Sequence, residues 1–275
     1  MSEPLRLLAL LAHPDDESLG VGGILATYAA EGIETYVLTA TRGQAGRFRG
    51  VREGEGPEHP GRAALARLRE AELRAAAAVL GVRELTLLDY EDGALDQVAP
   101  VAAVRRIARE IRRIRPQVVV TFGPDGGYGH PDHIAISQFA AAAIVAAADP
   151  RHDAGVPPAP HAVSKFYYMA WPAGPWAAYQ EAFKRLTCQV DGVERQAEPW
   201  LDWAITTVID TSAEWPTVWK AVTCHESQVA GYRRLRELSP EHHQALWGKQ
   251  YFYRVFSTVN GGRRRETDLF EGLRP

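Results

Sequence analysis

The chain has 275 residues, 46% hydrophobic and 24% charged, which is enough to bury one large core and is the balance of an ordinary globular protein. A formal net charge of −3 supplies no field that attracts nucleic acid or an anionic membrane surface, so neither is expected as a partner. The two cysteines, Cys188 and Cys224, stand far apart and outside any CxxC spacing. That excludes a disulfide framework and a cysteine-rich zinc site, and leaves open one bridge between them.

The apolar run from Leu5 to Ala12, broken by Arg6, is too short to span a membrane and leads straight into polar residues with no small-residue cleavage site. It has the pattern of a central parallel strand, and a cytoplasmic protein without membrane insertion is expected. After a polar turn, Gly20 to Ala30 reads as a helix packed closely through Gly20, Gly22 and Gly23. Their spacing is not the G-x-G-x-x-G of a dinucleotide loop. Ile33 to Thr39 is a second strand, completing a β-α-β unit with short connections. The stretch from Arg42 to Arg62 is rich in Gly, Arg and Glu, lacks periodicity and is too long for an ordinary connection. It reads as a mobile functional loop. A helix follows from Arg62 to Leu80, stopped at Gly81, then a short strand over Leu85 to Leu88 and a turn at DYEDG. Pro100 to Arg115 is an amphipathic helix, Gln117 to Phe122 a buried strand, and His133 to Ala148 a further helix. This alternation predicts an α/β fold for residues 1–149, a Rossmann-like three-layer sandwich with a mostly parallel sheet.

Residues 150–275 differ in character and form a smaller C-terminal portion, packed on the first part within one continuous domain and completing the pocket walls. A Pro-rich linker from Asp149 to Pro160 precedes a strand-like FYYMAW. Strands are expected over Trp200 to Ile209 and Tyr251 to Val259, with helix between Pro216 and Leu235. The seven tryptophans are mostly core or interface residues, with one or two left to stack on a ligand. His59, His152, His161, His242 and His243 have no partner at metal-ligand spacing and are expected to be exposed.

Two segments carry chemistry, and each follows a predicted strand: Ala12-His13-Pro14-Asp15-Asp16-Glu17 and Gly129-His130-Pro131-Asp132-His133. Ligands of open α/β sheets bind beyond the carboxyl ends of strands, so both segments are expected in one crevice. Together they bring His13, His130 and His133 with Asp15, Asp16, Glu17 and Asp132. Two imidazoles and one carboxylate make an open catalytic zinc site. A remaining carboxylate accepts a proton from water, and a remaining histidine protonates a leaving amine. The residue types suffice for metal-assisted amide hydrolysis, while spacing alone does not assign the ligands.

The pair AHPDDE and HPDH resembles the signature of the PIG-L/LmbE-like deacetylases, with the likeness clearest over the first 150 residues. The resemblance implies hydrolysis of the N-acetyl amide of an N-acetylglucosamine conjugate, a small-molecule substrate, and one Zn2+ per chain, with Fe2+ fitting the same ligands. It makes His13, Asp16 and His133 the metal ligands and Asp15 the general base. It makes His130 the histidine that, as imidazolium, stabilises the oxyanion, and Tyr128 a tyrosine that reaches the substrate carbonyl. TRGQAG (Thr41 to Gly46) resembles the family's TRGEAG and departs from it at Gln44. Asp92, in YEDG, resembles an aspartate near the sugar hydroxyls, and the His-x-Ser-Gln of His225 to Gln228 also has a counterpart. Arg42, Asp92 and His225 are therefore the candidate substrate contacts. For the loop arginines Arg42, Arg47 and Arg49 a solvated charged surface explains the sequence equally well. Glu17 reads as a supporting or helix-start residue, and Asp16 alone reads as well as a helix cap. The rivals are an amidase of a larger thiol or sugar conjugate, a sugar- or nucleotide-binding module without catalysis, and another metallohydrolase such as a phosphoesterase.

Overall fold

The computed structural model describes residues 3–154, 159–183, 187–229 and 233–274. The element order begins β1 (Arg6–Leu11), α1 (Asp16–Ala30), β2 (Glu34–Thr41), α2 (Arg62–Val79), β3 (Glu84–Tyr90), α3 (Pro100–Ile114), β4 (Val118–Thr121), α4 (Gly126–Gly129) and α5 (Pro131–Ala148). It continues with β5 (Lys165–Met169), α6 (Ala173–Phe183), β6 (Thr187–Val190), β7 (Val193–Gln196), β8 (Thr207–Asp210), α7 (Trp215–Cys224), α8 (Glu226–Val229), α9 (Arg233–Glu237), α10 (Pro240–Trp247) and β9 (Lys249–Ser257).

Seven strands form one sheet in the order β3-β2-β1-β4-β5-β9-β8, with β6 and β7 as a separate hairpin. The first five are parallel, and β9 pairs antiparallel with both β5 and β8. Helices cover both faces, so the middle strands read as continuous apolar runs: Leu7 to Leu11 and Val118 to Val120 are fully buried. The strand order reverses between β1 and β4, the place where an open α/β sheet leaves a crevice at its carboxyl edge. The strands after residue 149 extend the same sheet.

Local chemistry explains the helices. Pro100 opens α3, Ala103, Ile107 and Ile111 make its buried stripe, and Arg115 closes it at φ 57° just before Pro116. In α1 the small residues do what their spacing suggests. A side chain on Gly22 would press on Val218, and one on Gly23 would come within 2.8 Å of Thr211, so α7 lies directly against α1. α5 is apolar and long enough to cross a membrane by length and composition, yet it packs on α3 as a core helix.

Several expectations shift. α1 begins at Asp16, four residues earlier than its apolar pattern, because the acidic pair starts the helix rather than preceding it. The expected strand at 200–209 shortens to β8, since residues 202–204 turn as a 3-10 helix. The expected helix from 216 to 235 is interrupted at His225, and residues 230–232 lie outside the described residues. Residues 155–158 of the linker also lie outside them. Cys188 and Cys224 are both free. His243 is not exposed. It is 5% accessible, stacked on Trp219 at 4.3 Å, with Nε2 on the Leu235 carbonyl at 2.7 Å. His161 is half-buried and bonds the Pro116 carbonyl.

The C-terminal segment is fastened by a buried polar knot. Glu266 takes Lys165 Nζ at 2.7 Å, Tyr167 and Thr207 hydroxyls at 2.8 Å each, and Asn260 Nδ2 at 2.7 Å. Burial alone would raise this carboxyl, but those donors outweigh it and bring it down to about 2.

Candidate active site

Strand β1 ends at Leu11 and delivers His13, Asp15 and Asp16 to the crevice, while β4 ends at Thr121 and delivers residues 122–133 beside them. The second delivery needs a tight reversal. Gly126, Gly127 and Gly129 all adopt φ between 61° and 78°, a region that favours glycine, and the turn brings the Gly126 carbonyl onto His133.

Each metal-ligand candidate has its outer atoms engaged and one atom directed inward. His13 Nε2 bonds Asp132 and Asp92, each at 3.1 Å, which leaves Nδ1. His133 Nδ1 donates to the Gly126 carbonyl at 3.1 Å, which leaves Nε2. Asp16 Oδ2 accepts the Ala12 and His13 N–H groups, and Oδ1 lies 3.6 Å from His133 Nε2. His13 Nδ1 lies 3.1 Å from His133 Nε2, and 3.8 Å from the other Asp16 oxygen, Oδ2. Donors held about 2.0–2.1 Å from a tetrahedral ion lie about 3.3 Å apart, close to the His13 Nδ1–His133 Nε2 and His133 Nε2–Asp16 Oδ1 separations, so these groups suit a zinc-sized cation. The outer bonds are those that orient metal-binding imidazoles. Asp132 is fully buried, and its oxygens already accept the Gly93 and Leu95 N–H groups, so it supports His13 rather than joining the ion. His130, with Nδ1 accepting the Asp132 N–H at 3.2 Å and Nε2 left over, also lies within metal-binding range of His13 and His133, so the choice of Asp16 as third ligand follows the family resemblance.

Charge in the cluster follows burial. Burial, then the neighbouring imidazoles, holds His133 well below the ordinary histidine value. Burial, then His13, brings His130 down to about 4. At His13 burial is outweighed by Asp132 and Asp92, which hold it up. Burial pushes Asp16 up to about 7, and a cation among the three donors would favour its ionised form.

Asp15 sits beside these groups in a conformation rare for any side chain, φ 109° and ψ −24°. Its Oδ2 accepts from Arg69 at 3.1 Å. Burial raises its pKa against the pull of Arg69. Arg69 also donates to the Pro14 and Gly43 carbonyls. Gly43 stands at φ 64°, and a side chain there would run into the Arg69 guanidinium, which accounts for one glycine of TRGQAG. Asp92 accepts the Ala45 N–H at 2.7 Å, and His13 holds its carboxyl below the usual range against burial.

These groups floor a pocket of about 490 Å3. Its lining includes the polar Arg47, Arg69, Asp92 and Gln228 and the aromatic Tyr128, Trp171, Trp176 and Tyr179. A lining that combines aromatic and polar groups suits a sugar, which offers C–H faces for stacking and hydroxyls for hydrogen bonds. Of the expected substrate contacts, Asp92 lines this pocket. Arg42 does not; it is paired with Asp89 and Glu70 outside the lining. His225 lies behind the pocket, 1% accessible, with Nε2 on Glu17 Oε1 at 2.7 Å. The His-x-Ser-Gln segment acts as a staple: Ser227 bonds Glu72 of α2, and Gln228 bonds the Arg47 carbonyl of the 42–61 loop. Arg69 belongs to no motif, and its only mark in the sequence is a place on the buried stripe of α2, between Leu65 and Leu73.

A family model described as PIG-L: GlcNAc-PI de-N-acetylase matches residues 8–144. A 1D-myo-inositol 2-acetamido-2-deoxy-alpha-D-glucopyranoside deacetylase of Kineococcus radiotolerans is 34% identical, covering all of this chain and 85% of the relative. The chain belongs to the PIG-L family. It is a metal-dependent N-deacetylase, and its AHPDDE and HPDH segments are the parts of the family pattern that meet in the pocket. An enzyme of the same printed name from Rhodococcus opacus is 36% identical over 98% of both chains. The conserved protein TT1542 of Thermus thermophilus has the same fold, with a TM-score of 0.65 and 25% identity over 94% of this chain and 97% of that one.

Proposed function

We propose that this PIG-L member removes the N-acetyl group of 1D-myo-inositol 2-acetamido-2-deoxy-α-D-glucopyranoside or a close glycoside, using Zn2+ held by His13, Asp16 and His133. The strongest support is the meeting, in one sugar-sized pocket, of the His13, Asp16 and His133 side chains, their atoms 3.1–3.8 Å apart, with a further carboxylate beside them, Asp15. The substrate follows from relatives of that printed name that match the chain over nearly its whole length. When bound, the cation supplies Lewis acidity, which favours ionisation of water and polarises an amide carbonyl.

The protein's own groups do the rest. Asp15 accepts a proton from the attacking water at its carboxylate, a role suited by burial that raises its pKa. Arg69 keeps that carboxylate in place through Oδ2. His130 has Nδ1 occupied by the Asp132 N–H, so its Nε2 carries the proton and donates to the oxyanion as the carbonyl becomes tetrahedral. This differs from the imidazolium that the family resemblance suggests, because burial keeps the ring neutral. Tyr128, in edge contact with His130 and His133, adds a second donor. Asp15 then returns its proton to the amine, and acetate and the free amino sugar leave. Asp92 and Arg69 bond sugar hydroxyls, and Trp171 or Trp176 stacks on the ring. The test is amine release from this glycoside by the zinc-loaded enzyme; release from unrelated acetamides alone would redirect the substrate assignment.

A further inference from the structure

The strained backbone of Asp15 is held by a buried pair that the chemistry above leaves unused. Residues other than glycine adopt such a conformation only where surroundings impose it. Here the Asp15 N–H donates to Glu17 Oε2 at 2.9 Å, and Glu17 Oε1 accepts from His225 Nε2 at 2.7 Å and from the Ser18 hydroxyl at 2.5 Å. Glu17 is fully buried and His225 is 1% accessible. A buried polar pair of this kind contributes little to stability that an apolar pair of the same volume would not, so packing alone does not account for it.

The fold makes a specific effort to bring His225 there. The helix breaks at this residue, φ −83° and ψ 57°, and Ser227 is fixed on Glu72 just beyond it. His225 Nδ1 is buried and has no partner among the described residues. The ring shares with Asp15, Leu19 and Gln228 the lining of a small cavity of about 10 Å3. That is room for about one water.

We infer that His225 is a positioning residue for Asp15: through Glu17 it fixes the Asp15 backbone so that the carboxylate faces the reacting water, without touching substrate. This rests on Asp15 being the base. The test uses the zinc-loaded full chain and the inositol glycoside as probe, with metal content measured on every sample. His225→Ala should lower kcat about 10- to 100-fold, the range typical of outer-shell partners. KM should stay within about twofold and metal content should not change, and His225→Gln, which keeps a donor for Glu17, should recover part of the loss. In an Asp15→Asn background the same His225→Ala change should alter kcat by less than about twofold, because the group it positions is no longer functional. An equal fall in both backgrounds, a rise in KM that accounts for the loss, or departure of the metal would overturn the assignment. If His225→Ala does not fold, His225→Gln and Glu17→Gln in the same two backgrounds decide it. A failure of the base assignment is distinguishable, since Asp15→Asn alone would then keep its kcat.

Discussion

Replacing Asp15 by asparagine isolates proton transfer from everything else the residue does. The two side chains have the same shape, and asparagine tolerates positive φ about as well as aspartate, so the 109° backbone survives. The amide oxygen can still accept from Arg69, whose other bonds, to the Pro14 and Gly43 carbonyls, are untouched. None of the three ligand side chains moves, so the metal should stay. What disappears is the only function an amide lacks, acceptance of a proton. General-base catalysis contributes roughly 10²- to 10⁴-fold, or about 3–5 kcal/mol of barrier. The variant should therefore bind metal at the wild-type stoichiometry, melt within a few degrees of the parent, and lose that factor in kcat with little change in KM. Amine release from the inositol glycoside, followed on samples of known metal content, measures it. Near-normal kcat would refute the base assignment, and loss of metal would refute the separation of Asp15 from the ligand set.

Other consequences follow from the same structure. His133→Ala removes one of the three donors, and added Zn2+ should then no longer raise the melting temperature; undiminished stabilisation by zinc would remove His133 from the ligands. Lys165→Met removes one of two cations on the buried Glu266, and because Arg254 Nη1 at 2.8 Å and the Tyr167, Thr207 and Asn260 donors remain, it should cost about 1.5–3 kcal/mol, the range for one lost hydrogen bond to a charged group. Denaturant unfolding measures that cost, and kcat should hold because the knot is remote from the pocket. Glu266 also predicts an acid limb. Its folded pKa, about 2, lies below the unfolded 4.5, so its contribution is complete above pH 4.5 and is lost as the pH falls toward 2. Stability measured across that window should decline less steeply in Glu266→Gln, and identical slopes in the two proteins would contradict it.

The parallel core and the two catalytic segments were legible because they depend on short-range patterns. Apolar runs such as Leu7 to Leu11 announce strands buried on both faces, and a histidine-aspartate cluster directly after such a run marks a strand end. What sequence could not show were residues whose meaning comes from distant partners. Arg69 lies 54 positions from the Asp15 it contacts, and on α2 it resembles any helical arginine until its inward face is known. The break at His225 was invisible for the same reason: Cys224 and Glu226 are acceptable helix residues, and Glu17 lies 208 positions away. The burial of His243 has no local signal, because its partners, Trp219 and Trp247, are supplied by packing. Arg42 and Arg47 share a loop and a charge, yet Arg47 lines the pocket while Arg42 is tied to Asp89 and Glu70.

The most direct test of the whole account is a metal titration of the purified enzyme. Protein stripped by chelator is reloaded with Zn2+ in steps, with metal content by elemental analysis and amine release from the inositol glycoside read on each sample. Activity should vanish on stripping and return in proportion to the first equivalent, saturating at one zinc per chain. Amine release that persists without metal, or a stripped protein that takes up no zinc at all, would contradict the claim that His13, Asp16 and His133 form the centre of this active site.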